Sequence, residues 1–268
     1  MSEQSVMEKL VRPNTRTSLH QQFKQLGLTE GMVVIVHSSL SSLGWVCGGP
    51  IAVIQALMDT VGISGTIVMP AQTGENSDPS SWERPPVPKE WWQIIREEMP
   101  AFDPAVTPTR GMGAIAEAFR SFPGVKRSNH PTYSFSAWGK HAAEILEEQP
   151  LAEGFGETSP LAKIYQLDGF ILLLGVEHDS STSLHLAEHA ILNRKKENKG
   201  TAMLENGNRV WKTYQEIVYD SDVFSELGED YEKSNPVTVA KIGAADAKLI
   251  RQCPMVDFAR QWLKVKHQ

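Results

Sequence analysis

The sequence predicts an α/β protein of three layers, with helices on both faces of a mixed, largely parallel central sheet. Three observations carry that reading. Met32–Val36, Gly65–Pro70 and Phe170–Val176 are short runs of apolar and β-branched residues without alternation, as in strands buried on both faces. The first two are joined by a loop and an apolar helical stretch, which is the spacing of a βαβ unit. The composition agrees: 268 residues with 41% apolar and 22% charged suffice to bury a core without disulfides or metal.

Taken in order, a helix over Leu19–Leu26 is closed by Gly27 and leads into the strand Met32–Val36. A serine-rich loop from His37 to Gly44 follows, then Gly48-Gly49-Pro50, where proline at the first helical position opens a helix over Ile51–Val61. After the strand Gly65–Pro70, residues 72–108 break the pattern. Pro79, Pro85, Pro86, Pro88, Pro100, Pro104 and Pro108 lie there with Trp82, Trp91 and Trp92, and a short helix is predicted over Lys89–Glu98. Two readings stand side by side: a structural excursion packing its tryptophans on the core, or a wall of the binding site. A helix over Gly111–Phe122, the strand Phe170–Val176, and a helix over Thr182–Asn193 come next. Asn206-Gly207-Asn208 reads as the turn of a hairpin reaching Val218. Thr238–Ile242 is a further strand and Met255–Val265 a final helix. Without an internal repeat or low-complexity tract, the reading is one domain over residues 1–268 with an irregular insertion at about 72–108.

Charge and cysteine usage narrow the setting. The 26 basic and 32 acidic residues give a net charge of −6, which argues against a nucleic-acid duplex as partner and is compatible with a cationic small substrate. Cys47 and Cys253 form no CxxC pair, so a reduced, cytoplasmic setting is expected, with Cys47 read as a small gap-filling residue rather than a nucleophile. The stretch from Met1 to Arg16 lacks the apolar region of a signal peptide, and Phe170–Val176 is far too short to span a bilayer. A soluble protein without a membrane partner is expected.

Three segments carry candidate chemistry. Gly111-Met112-Gly113-Ala114-Ile115-Ala116 matches G-x-G-x-x-A, but Pro104 and Pro108 make the preceding residues a poor strand, so a dinucleotide site is not supported. Thr107, Thr109 and the amides of Gly111–Gly113 still open a helix, suited to a phosphate or carbonyl oxygen or simply to an ordinary cap. His37-Ser38-Ser39-Leu40-Ser41-Ser42 sits at the carboxyl end of a strand, where ligands of open α/β sheets collect; its hydroxyls suit a phosphate, an amide-bearing chain or an oxyanion, or cap the next helix. G-x-S-x-G is absent. The third segment runs from Gly175 to His189. Its His185-Leu-Ala-Glu188-His189 fits H-x-x-E-H, which would hold zinc, although no third ligand stands out among Asp220–Glu232. It equally suits His185 as a metal-free general base steadied by Asp179 or Glu188, or two ordinary solvated histidines.

Together these segments resemble the aminoglycoside 3-N-acetyltransferase family, which is unrelated in fold to the common GNAT acetyltransferases. Four stretches carry the likeness, in order: His37–Gly44 with Gly48-Gly49-Pro50; Thr107–Gly113; Arg127-Ser-Asn-His-Pro131 leading to Ser134–Gly139; and Asp179–Glu188. They span roughly residues 15–265. The resemblance implies an αβα domain that acetylates an amine of a 2-deoxystreptamine antibiotic, using acetyl-CoA as cosubstrate and no metal. On matching positions it implies His37, Ser38, Ser39, Leu40, Ser41, Thr107, Thr109, Gly111 and Met112 for acetyl-CoA, and His185 with Asp179 and Glu188 for catalysis. His189 lies outside the family pattern. Glu75, Asp78, Glu83 and the 220–232 region are candidates for attracting a polycationic acceptor, and amides near the serine loop for holding the oxyanion. Rival readings are a zinc hydrolase or a catalytically silent CoA-binding module; self-association into a homodimer is left open.

Overall fold

Each of the three apolar runs forms a strand in the computed structural model, which describes residues 12–83 and 85–266. The stretch read as lacking a signal peptide lies, up to Val11, outside the described residues. The strands are β1 (Val33–Ser38), β2 (Thr66–Pro70), β3 (Lys126–Arg127), β4 (Phe135–Gly139), β5 (Phe170–Leu174), β6 (Lys196–Glu205), β7 (Asn208–Ile217), β8 (Thr238–Ile242) and β9 (Ala245–Arg251). All but β6 and β7 belong to one sheet of order β3-β4-β2-β1-β5-β9-β8. Its centre is parallel, β1 pairing with β2 through Val34 and Ile67 and with β5 through Ile35 and Ile171. The flanking pairs β2–β4, β4–β3, β5–β9 and β9–β8 are antiparallel.

Burial explains why the central strands show no alternation. Val34, Val36, Ile67, Met69, Leu172 and Leu174 pack under the helices Arg16–Leu26, Gly49–Val61 and Gly113–Arg120. Val33, Ile35, Val68, Ile171 and Leu173 face the opposite layer, made by Ala142–Ile145, Pro160–Gln166, Phe224–Glu232 and Gln252–Lys266. Both faces are thus covered, and each fully buried Ile, Leu or Val contributes about 1.5–3 kcal/mol. The three-layer α/β expectation holds, with the parallel part of the sheet at its centre.

Element boundaries differ for identifiable reasons. The first helix begins at Arg16 because Thr15 and Ser18 form a capping box, and Gly27 closes it at φ 107°. The last helix begins at Gln252, since Pro254 is tolerated in a first turn. The expected helix Thr182–Asn193 is corrected: the segment makes 3₁₀ turns at His178–Ser180 and Thr182–Leu184, then one α-helical turn, His185–Glu188. Ser180, Ser181, Thr182 and Ser183 are poorer helix formers than Ala or Leu, so a continuous helix is not favoured there. The hairpin is longer than expected. Asn206 and Gly207, at φ 52° and 80°, make a two-residue turn that joins ten-residue strands β6 and β7.

Within residues 72–108 the short helix forms as a 3₁₀ turn, Lys89–Trp91, continuing into Trp92–Glu98. Trp91 is 56% exposed, so it does not pack on the core. Cys47 is exposed as well, which corrects its reading as a gap-filling residue. Among the described residues no helix is long and apolar enough to cross a membrane.

Candidate active site

Because β1, β2 and β5 run parallel, the loops after them gather at one end of the sheet, where a cavity of about 840 Å³ opens. Its walls come from the loop after β1, the residues Gly111–Ala114 that start a helix, the segment Val176–His185 after β5, and Ser221. The loops are tightly keyed. The Ser39 amide donates to the Leu174 carbonyl at 3.0 Å, and Gly175 takes φ 70° with so little room that a Cβ would lie 2.6 Å from the Ser42 Cβ. A side chain at Gly175 would push the serine loop off the end of β5.

The serine loop lines the cavity from His37 to Ser41. Its hydroxyls bond one another, Ser42 to Ser39 at 2.9 Å and Ser39 with Ser41 at 3.1 Å. His37 is only 6% exposed, and its Nε2 is buried with no partner. Burial, with a smaller contribution from His185 nearby, pushes its pKa down to about 3, so this imidazole is neutral at ordinary pH. Gly111 and Met112 also line the cavity. Thr107 and Thr109 are not in its wall and hold the turn leading to it instead. The Thr107 hydroxyl accepts from the Asp103 amide at 2.9 Å, and Thr109 donates from both its amide and its hydroxyl to Glu117, at 2.8 and 2.7 Å. Arg127, from the third matching stretch, braces the same turn: its guanidinium donates to the Thr107 carbonyl and, at 2.6 Å, to the Ala71 carbonyl.

His185 opens the single helical turn after β5, and its Nδ1 lies 2.6 Å from Oε2 of Glu188. The i, i+3 spacing puts both on one face, as the sequence suggested. Glu188 is 1% exposed and its other oxygen accepts from the Arg194 guanidinium and, at 2.9 Å, from the Asp220 amide. With Nδ1 donating to the carboxylate, the Nε2 lone pair of the neutral ring is left free. Phe155 stacks on the imidazole at 4.9 Å and 9° between planes, Tyr219 meets it edge-on at 5.2 Å, and Phe224 closes in at 4.8 Å. This aromatic box prevents the ring from turning. Phe155, Arg194 and Tyr219 come from three separate segments, and no local motif announces them.

Asp179 is exposed and lines the same cavity, but its bond is to the Ser180 hydroxyl at 3.2 Å. Glu188 is therefore the carboxylate on the ring. The zinc reading has no geometry behind it. His185 is turned to Glu188, whereas Nε2 of His189 lies 3.0 Å from the Tyr219 hydroxyl. Among the described residues no three His, Cys, Asp or Glu side chains gather as a metal ion would require. Of the acidic candidates for the acceptor side, none lines the cavity: Glu75 pairs with Arg110, Asp78 with Arg96 at 2.8 Å, and Glu83 is exposed. Nor do Trp82 and Trp91 reach it; the Trp82 indole donates to the Ser77 hydroxyl at 3.0 Å.

Fold and cleft together define an α/β enzyme that takes its ligands at the carboxyl ends of parallel strands. The family follows from comparison with known proteins. A sequence model described as aminoglycoside 3-N-acetyltransferase matches residues 35–264. The SPbeta prophage-derived aminoglycoside N(3')-acetyltransferase-like protein YokD of Bacillus subtilis (strain 168) is 52% identical over 258 residues, covering 96% of this chain and 95% of that protein. Aminoglycoside N(3)-acetyltransferase IX of Micromonospora chalcea is 33% identical over 285 residues, covering 99% of each. A solved structure titled AAC-IIIb binary with CoASH superposes at a TM-score of 0.85 with 31% identity, covering 95% of this chain and 98% of that one. The chain belongs to the aminoglycoside 3-N-acetyltransferase family and is an acyltransferase of that type.

Proposed function

We propose that the protein transfers the acetyl group of acetyl-CoA to an amine, the 3-amino group of a 2-deoxystreptamine antibiotic or a related amine, with His185 as general base. The observation that carries this reading is His185 in the cavity wall, backed at 2.6 Å by the buried carboxylate of Glu188. An amine attacks a thioester only as the free base, and it must lose a proton as the new C–N bond forms. Nε2 of His185 accepts that proton, and the same proton passes to the departing CoA sulfur, so the amide and free CoA thiol are the products. Glu188 fixes the ring with Nδ1–H toward itself and stabilises the imidazolium without taking the proton. His37 remains neutral beside it, so the site does not build up a second positive charge against a cationic acceptor.

Acetyl-CoA fits what lines the cavity. The loop hydroxyls of Ser38, Ser39 and Ser41, with Gly111 and Met112 opposite, suit a long ligand rich in amide and phosphate oxygens. The unpartnered Nε2 of His37 is a buried polar atom of the kind that a bound polar group satisfies. Asp179 is the carboxylate that lines the cavity, and it favours a cationic acceptor there.

The test is release of CoA thiol from acetyl-CoA with a panel of aminoglycosides and simpler amines. Purified protein should release thiol with at least one. His185→Ala should lower turnover by roughly two to four orders of magnitude while acetyl-CoA affinity holds. His189→Ala should be mild, whereas a zinc site would make the two equally damaging. Near-normal turnover in folded His185→Ala protein would end its assignment as base, and absence of thiol release with every amine would end the transferase reading.

A further inference from the structure

The base of hairpin β6–β7 is fastened to the catalytic pair by a buried arginine. Arg194 precedes β6, and its side chain is 10% exposed. Its Nε donates to the carbonyl of Val218, just past β7, at 2.9 Å, and its Nη2 donates to Oε1 of Glu188. The hairpin has its own closing bond, Val218 amide to Lys195 carbonyl at 2.9 Å, so the guanidinium is not needed to join the strands. Burying a guanidinium is costly unless it is paired and hydrogen-bonded, and here the partner is the carboxylate that faces His185. The Asp220 amide reaches the same oxygen at 2.9 Å, and Ser221, next along, lines the cavity.

We propose that Arg194 is a positioning residue of the acetyl transfer: with the Asp220 amide it occupies Oε1 of Glu188, leaving only Oε2 for the His185 ring and supplying the carboxylate's counter-charge. This rests on the reading of His185 as base. Arg forms a planar fork that spans two acceptors in fixed geometry, here a backbone carbonyl and a carboxylate, which a lysine ammonium does not reproduce. Without it the Asp220 amide alone holds Oε1, the carboxylate loses its counter-charge, and its contact with the Nδ1–H of the boxed ring loosens. Besides Glu188, the titratable groups that bear on the ring are Tyr219, in edge contact, His37 from β1 and His189 beyond the helical turn.

The experiment compares Arg194→Met and Arg194→Lys with the unaltered enzyme in turnover, acetyl-CoA affinity, the pH profile of kcat/KM and the proton NMR of His185 Nδ1–H. Arg194→Met should lower kcat on the order of 10²-fold, with acetyl-CoA affinity unchanged. The low-pH limb of the profile should move to higher pH, because a carboxylate stripped of its cation holds the ring proton more strongly. The downfield Nδ1–H resonance should shift or broaden. Arg194→Lys should return the limb towards its original position without restoring full kcat. A merely structural arginine would lower thermal stability and move neither the limb nor the resonance. That outcome in folded Arg194→Met overturns the proposal, as does unaltered kcat in Arg194→Lys should the Met variant not fold. The resonance needs no turnover, so it judges Arg194 even if His185→Ala proves active and the base assignment fails.

Discussion

Glu188→Gln separates the charge of the carboxylate from its shape, and the structure fixes which way the amide must turn. Glu188 receives donors on two sides. On Oε1 they are the Arg194 guanidinium and the Asp220 amide; on Oε2 there is Nδ1 of His185. Glutamine has one acceptor oxygen and one donor NH₂. Neither the guanidinium nor the backbone amide can become an acceptor, so turning the NH₂ towards them leaves two buried donors unpaired at about 1–3 kcal/mol each. The ring, by contrast, can change tautomer. The amide oxygen therefore faces Arg194 and Asp220, its NH₂ donates to Nδ1, and the ring carries its proton on Nε2. An Nε2–H ring cannot accept a proton from the attacking amine. A preference of roughly 2–6 kcal/mol lowers the productive tautomer by about 30-fold to 10⁴-fold. Loss of the negative charge behind the imidazolium adds to this, so kcat should fall about 10³-fold with acetyl-CoA affinity unchanged. The assay is thiol release at saturating acetyl-CoA, paired with ¹⁵N NMR of the ring nitrogens. A folded Glu188→Gln enzyme within tenfold of the original kcat, or one whose His185 still carries its proton on Nδ1, would refute the reasoning.

Two further substitutions test the packing around the site. Gly228→Ala puts a Cβ 2.0 Å from Cγ of His178, a buried ring held by Glu232 at 2.6 Å. Overpacking of about 1–3 kcal/mol should outweigh alanine's helix advantage of about 1 kcal/mol, so the urea midpoint should fall; an unchanged or raised midpoint would contradict this. Glu216 has its carboxyl raised from 4.5 to about 7, chiefly by burial, with bonds from the Gly154 amide and Tyr219 hydroxyl only partly opposing it. A raised carboxyl stabilises the fold fully below the unfolded value and loses that contribution as pH rises through about 7. Glu216→Gln should therefore gain roughly 3 kcal/mol on the original protein between pH 4.5 and 8 in denaturant titrations, and parallel curves would count against the buried carboxyl.

The central strands were legible because burial on both faces leaves its mark in the local sequence, as in Val33–Val36 and Leu172–Leu174. Of the antiparallel flanks, β8 was legible as Thr238–Ile242, but β3, β4 and β9 were not. In β9, Ala245, Ala247 and Leu249 point inward while Asp246 and Lys248 alternate outward, yet two of the three inward residues are alanines, which carry little strand preference. Half of the hairpin was equally hidden. Lys196–Lys199 is polar throughout, and what makes it a strand is pairing with Ile217–Tyr214, which only the turn at Asn206-Gly207 brings opposite. Where the strand signal depends on a partner distant in sequence, local pattern is silent.

The same division runs through the site. The pair His185–Glu188 is visible from spacing alone, and it survives although the long helix predicted around it does not form, because one turn of helix is enough to set residues three apart on one face. Its restraints have no such local signature. Arg194 lies at the foot of β6, Tyr219 just beyond β7 and Phe155 before the helix Pro160–Gln166, and each reaches the pair from a segment distant in sequence or fixed by tertiary packing. A general base needs both parts: an imidazole–carboxylate contact, which two residues can encode, and a single orientation of that contact, which requires several distant segments. Substitutions in the hairpin base should therefore act on turnover more than on cofactor binding, although the hairpin itself lines the cavity through no residue of β6 or β7.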